Sequence, residues 1–153
     1  MKILLAMLVL ITPAAAALAQ TGTPGQAPVS EEPQPPAQQP AATPEQAAAT
    51  AWLELVDSGR YQESWDAAAR LFRGQMPAED WSRLVAGVRE PIGALQSRRL
   101  QSSTAAASLP GAPDGEYMML QFISSFANKA HAQERVTLMR EGDVWRVAGY
   151  YIR

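Results

Sequence analysis

The spacing of apolar residues changes twice along this chain. Ile3 to Ile11 is an almost unbroken apolar run. From Thr43 to Pro91 apolar residues recur every three or four positions, and from Ile92 to the C-terminus they alternate with polar ones. Helical spacing puts a stripe along one side of a helix, and alternation puts it on one face of a strand.

Three helices are predicted. Thr43-Pro44-Glu45-Gln46 carries an N-cap hydroxyl, a proline at the first helical position and Gln at the capping-box position. Ala48, Trp52, Leu55 and Val56 follow on one face, and Ser58-Gly59 closes the helix. Tyr61, Trp65, Ala68 and Phe72 share a face of the second helix, which ends at Gly74. Pro77 opens the third, with Glu79 and Asp80 suitably placed in its first turn. Its stripe is Trp81, Leu84, Val85 and Val88, and Pro91 is expected to end it.

Four strands follow. The first spans Ile92 to Ala107, and residues 109–115 form a loop of turn formers. In Glu116 to Phe126, Met118, Leu120, Phe122 and Phe126 share one phase. Ala130 to Arg140 sets Val136 beside Leu138, and Glu141-Gly142-Asp143 is a hairpin turn. Val144 to Ile152 pairs Trp145 with Val147. Helices first and consecutive strands afterwards predict an α+β domain, with three N-terminal helices on one face of a four-stranded antiparallel sheet. Such a half-cone is the architecture of the cystatin-like and nuclear-transport-factor-2-like folds.

The ends of the chain add a compartment. Lys2 precedes the apolar run, and Ala17-Leu18-Ala19 has the small-x-small form that a signal peptidase reads. The run is shorter than the ~20 residues of a spanning helix. Residues 1–19 are therefore expected to be a cleaved signal peptide that leaves no membrane anchor, with the mature protein periplasmic or secreted. Residues 20–42, rich in Pro, Gln and Ala, are expected to be a disordered spacer. Residues 43–153 form the single domain. The chain has no Cys, which excludes disulfides, thiolate metal sites and a lipidated cysteine. Its net charge of -2 is unlike that of a basic nucleic-acid binder.

Several phrases resemble an uncharacterised bacterial family, Domain of Unknown Function 4019. They are Trp52-Leu53 with Asp57-Ser58-Gly59-Arg60-Tyr61, Ser64-Trp65 leading to Leu71-Phe72, and Trp81 with Arg89-Glu90-Pro91-Ile92-Gly93. Leu109-Pro110-Gly111, Pro113-Asp114-Gly115-Glu116-Tyr117, Gln121-Phe122 and residues 145–152 complete the set. The resemblance implies export in many members and a fold similar to the nuclear-transport-factor-2 group. It implies no activity.

Candidate chemistry is sparse. The tryptophans are expected in the core, though Trp65 and Trp81, with Tyr61, are candidates for a pocket wall. Arg98 shares its phase with Leu100, and Glu134 with Val136 and Leu138, so both should point toward the helices. Inside a cone they are pocket candidates for a polar ligand or a catalytic pair, or they form a structural ion pair. Tyr61, Asp66, Tyr117 and Glu134 supply acid–base groups, but no spacing unites them. His131 stands alone without Cys, which argues against zinc. Ser64-Trp65 lacks the flanking glycines of a nucleophile elbow. Arg98-Arg99 is too short for a nucleic-acid patch. No catalytic residue and no cofactor is assigned.

The opposite strand phase holds Tyr117, Met119, Gln121, Ile123, Thr137, Met139, Arg146, Ala148, Tyr150 and Ile152. This mixture suits an interface better than a solvated sheet face. Tyr117, Met119, Met139 and Tyr150 are its candidates, for a two-fold dimer or for an envelope partner. The expected function is non-enzymatic binding of a small apolar ligand or a protein partner. The alternatives are an isomerase or dehydratase using a pocket carboxylate, and a structural homodimer without ligand.

Overall fold

A computed structural model of the chain describes residues 41–153. The expected signal peptide, and the expected spacer up to residue 40, lie outside the described residues. Residues 41–153 make one compact unit.

Four helices precede four strands. They are α1 (Pro44–Asp57), α2 (Tyr61–Ala67), α3 (Arg70–Gln75) and α4 (Ala78–Ile92), then β1 (Leu95–Ala106), β2 (Tyr117–Phe126), β3 (Lys129–Glu141) and β4 (Val144–Ile152). The strands form one antiparallel sheet in the order β1-β2-β3-β4. This is an α+β domain. The capping box of α1 is present, with Gln46 N donating to Thr43 Oγ1 at 3.4 Å and Thr43 N to Gln46 Oε1 at 3.3 Å.

The expected second helix is two helices. Ala68 and Ala69 between them are extended, with ψ of 164° and 151°. Alanine favours helix, so local preference does not make this break. Both alanines are fully buried, and Ala69 N donates to Val147 O of β4 at 2.8 Å. A backbone bond to the edge strand holds the chain out of helix, and only small side chains allow so close an approach.

Pro91 does not end α4, which runs on to Ile92. The carbonyl that loses its partner to this proline belongs to Gly87, which is exposed and can turn to water. Asn128 closes the helix end instead. Its Nδ2 donates to Pro91 O at 3.1 Å and its N to Ile92 O at 2.9 Å. Gly93 then turns the chain into β1 with φ of 77°, and a Cβ there would stand 3.1 Å from Ala127 Cβ. Ile92 therefore belongs to α4, and β1 starts at Leu95.

The buried stripe of α4 also differs from expectation. It is Trp81, Val85 and Arg89, spaced by four, while Leu84 and Val88 are exposed. Trp52, Leu53, Val56, Phe72, Trp81 and Val85 pack with Leu120, Phe122, Val136, Leu138 and Val147 into one core. The sheet residues among these share one strand phase, so the helices bury that face. The rings of Trp52 and Trp81 lie 5.8 Å apart, and Phe72 meets Trp81 edge-on at 5.0 Å.

β4 changes phase at a bulge. Leu138 pairs with Val147 but Thr137 with Gly149, leaving Ala148 as the extra residue. One unpaired residue sends every later side chain to the other face. Tyr150 and Ile152, expected on the outer face, therefore turn toward the helices, opposite Val136 and Glu134. The Tyr150 ring lies 5.5 Å from that of Trp52. Tyr117 keeps its outer-face phase yet is buried, and its hydroxyl donates to Pro113 O at 2.6 Å in the loop after β1. Of the expected interface set, Met119 and Met139 remain half-buried on the outer face.

Candidate functional site

Arg98 on β1 and Glu134 on β3 do meet, within a larger network. Arg98 Nε donates to Glu134 Oε2 at 2.7 Å and its Nη2 to Glu134 Oε1 at 3.1 Å. On its other side Arg98 Nη1 and Nη2 donate to Asp57 Oδ2 and Oδ1 at 2.6 and 3.0 Å. Arg89, from the buried stripe of α4, repeats the pattern. Its Nη1 donates to Glu134 Oε1 at 3.1 Å, and its Nη2 pairs with Asp57 Oδ1. Two guanidinium groups and two carboxylates thus close a neutral ring. Ser124 Oγ donates to Glu134 Oε2, and Tyr150 Oη to Glu134 Oε1 at 2.6 Å. Phe126 lies under the Arg89 guanidinium, 4.5 Å from ring centroid to Cζ.

The chain builds this ring from positions that otherwise point into the core. Asp57 is the last residue of α1, four after buried Leu53. Arg89 is four after buried Val85. Glu134 alternates with Ala132 and Val136. Glu134 is 1% exposed and Arg89 5%. Charges this deep are costly unless paired and fully hydrogen-bonded. The sequence reading found Arg98 and Glu134 by strand phase but missed Asp57 and Arg89. The signal for both was helical, an i+4 step from a buried apolar residue.

The network shifts the titration of Arg98 and of Tyr150. Burial works to lower the Arg98 pKa, but the hydrogen bonds and charges of Asp57 and Glu134 outweigh it and raise it. Burial raises the Tyr150 pKa, and the charge and hydrogen bond of Glu134 raise it further, against a smaller opposing effect of Arg89. Tyr150 is therefore a neutral donor throughout the ordinary pH range. Glu134 accepts from Arg89, Arg98, Ser124 and Tyr150, which fills the roughly four lone-pair sites of a carboxylate. Every acceptor site of Glu134 is thus engaged by a donor of the protein itself.

The other pocket candidates make no hydrogen bond to this ring, though Trp81 meets Tyr150 edge-on at 6.3 Å and Tyr61 shares a surface hollow with it. Trp81 is in the core, its Nε1 donating to Ser64 Oγ at 2.9 Å. Trp65 is half-buried and donates to Met76 O at 2.7 Å. Tyr61 edges a shallow hollow of about 290 Å³ between the end of α1 and the end of α4, where Asp57 and Arg89 also reach the surface.

A second feature shares the helix-facing side of the sheet. Ala105, Met118, Arg140 and Trp145 continue the phase of Leu120, Leu138 and Val147. With Ala107 and Glu116 they line an open groove of about 410 Å³. Its wall is mainly alanine, Met118 and the half-buried Trp145, and Arg140 and Glu116 form an ion pair at 3.4 Å. Trp145, expected in the core, packs against its edge while half-buried and lines the groove as well. Asp66 and His131 join neither feature. Among the described residues no group of three or more His, Cys, Asp or Glu is placed to hold a metal ion, and no helix is long and apolar enough to cross a membrane.

Fold and site together define an α+β domain with a self-satisfied charge ring inside and an apolar groove at the other end of the sheet. The chain belongs to the family described as "Protein of unknown function (DUF4019)", whose model matches residues 48–150. No curated protein matches the chain.

Proposed function

We propose that this chain is an exported, non-enzymatic binding domain of cone-like, nuclear-transport-factor-2-like form, and that its groove holds a small apolar ligand. The observation that carries the reading is the groove walled by Ala105, Ala107, Met118 and Trp145. It lies at the end of the sheet where Tyr117 and Ala106 also contribute, and its Met118 and Trp145 share the phase of the core residues, so an apolar molecule against them would extend the core. Ligand sites are concave and mainly apolar, with a few polar groups at the edge to orient the bound molecule. Arg140 and Glu116 supply that polar edge. Export is supported by the leader-like residues 1–19, and the absence of Cys excludes a lipidated cysteine at the cleavage site.

An isomerase or dehydratase would need a pocket carboxylate able to accept a proton. Glu134 is saturated by its own neighbours, so the charge ring serves the fold rather than a reaction. The test is mass spectrometry of small molecules released from the purified full chain, with Met118→Lys beside it. A hydrophobic ligand present in the parent and lost from the variant supports the reading. No released ligand, together with no change in Trp145 fluorescence on adding fatty acids or other hydrophobes, overturns it.

A further inference from the structure

The outer face of the sheet carries an uncompensated positive charge. Strand register places its side chains in rows. One row runs Arg99, Ile123, Gln133, Arg153, and the next runs Ser102, Gln121, Arg135, Tyr151. Neither row contains Asp or Glu. Arg60, Arg70, Arg83, Arg89, Arg98, Arg140 and Arg146 each stand within 4 Å of a carboxylate. Arg99, Arg135 and Arg153 have no such partner among the described residues, and all three are exposed.

The face is also hollowed where these charges lie. Two adjoining depressions, of about 400 and 180 Å³, share Gln133 and Arg153 as a common wall. Lys129 and His131 line the larger one, and Arg135 and Tyr151 the smaller, with Glu134, whose buried carboxylate is already paired with Arg89 and Arg98, between them on β3. Arg153 is held in place by Gln133 Oε1, which accepts from its Nε at 2.8 Å. Its Nη1 has no acceptor among the described residues.

We propose that this trough is a binding site for a multivalent phosphate anion. A lone carboxylate would balance one cation, whereas Lys129, Arg135 and Arg153 together call for several negative charges. The guanidinium fork matches phosphate oxygens in pairs. Gln121, Gln133 and Tyr151 add hydrogen-bonding groups and a flat ring on which a sugar or ester group can rest. A second copy of this chain is a poor occupant, because it would bring the same unbalanced charge to the contact. The site is on the sheet face opposite the apolar groove, so it stands independently of the function proposed above. The phosphate has two sources, a soluble polyphosphorylated molecule or a lipid headgroup.

The experiment titrates the full chain with tripolyphosphate by calorimetry, and separately with phosphatidylcholine vesicles containing phosphatidylglycerol. Arg135→Gln with Arg153→Gln is the test variant. Arg83→Gln, a change on α4 distant from the trough, is the control, and far-ultraviolet circular dichroism checks that both fold. Binding should weaken at least tenfold in the double variant, remain in the control, and fall with added salt. Tripolyphosphate binding assigns a soluble ligand; vesicle binding alone assigns a headgroup; either supports the site. Absence of both, equal binding by the folded double variant, or sedimentation showing that this face is closed by self-association overturns it.

Discussion

Arg98 and Arg99 are neighbours in sequence and opposites in surroundings. Arg98 faces the helices, where Asp57 and Glu134 share four carboxylate oxygens between it and Arg89. Arg99 faces outward beside Ile123, with Arg135 and Arg153 on the same side and, among the described residues, no carboxylate within 4 Å of any of them. One side of the sheet uses its arginines to complete a buried ring. The other leaves them open to whatever arrives. The residue type is constant, and its role depends on which partners the fold delivers.

That contrast predicts a steep difference in stability effects. Glu134→Gln should be the most damaging polar change, at about 3–5 kcal/mol, because it leaves two buried guanidinium groups facing one carboxylate. That is a large share of a small domain's stability. Urea unfolding measures it, and a loss below about 1 kcal/mol would mean that the ring is solvated rather than buried.

The ring's neutrality gives the next test. Arg98→Met with Glu134→Leu removes one charge of each sign and leaves Arg89 with Asp57. The double variant should lose clearly less than the two single losses added, with a coupling of about 2 kcal/mol or more. Additive losses would show that the two residues act separately.

Trp145→Ala probes the groove rather than the ring. A fully buried tryptophan costs about 3–5 kcal/mol when cut to alanine, and half-burial should bring this to about 1–2. Trp81→Ala, in the closed core, should show the full cost. Equal losses at the two sites would mean that the groove is closed in solution.

Tyr150 adds a pH signature to the inward side. Its folded pKa lies above the unfolded value of about 10. The folded protein therefore holds the phenol proton more tightly than the unfolded chain does. This stabilisation is complete below about pH 10 and is lost as pH rises toward the folded pKa. Between pH 10 and 11 the unfolding free energy should fall by up to about 1.4 kcal/mol per pH unit from this residue, and Tyr150→Phe should remove that slope. The smallest effects belong to the outward side. Arg99→Gln and Arg135→Gln should each change stability by no more than about 0.5 kcal/mol, since neither loses an ion partner.

Much of this domain was legible before its structure. The first helix was marked by its capping box, and the phase of β2 and β3 by strict alternation. Where reading failed, contacts between distant segments had intervened. The Ala68-Ala69 break exists because Val147 offers a carbonyl there. Pro91 stays inside α4 because Asn128, far along the chain, closes the helix end. Tyr150 changed faces through a single extra residue at Ala148, beside Gly149, and that strand-interior glycine was the one local sign of a bulge.

By itself, the sequence determined the class of fold, the order of its elements and the inward phase of Arg98 and Glu134. These depend on repeat spacing, and spacing is a local property of the chain. Only the tertiary structure decided that Arg98 and Glu134 would be joined by Asp57 and Arg89, and that Trp145 would line a groove. The partners of that ring lie 32 to 45 positions apart. Their meeting requires the helices to dock on the sheet at one angle and the strands to keep one register. Periodicity states which way a side chain points, but only packing states what it finds there.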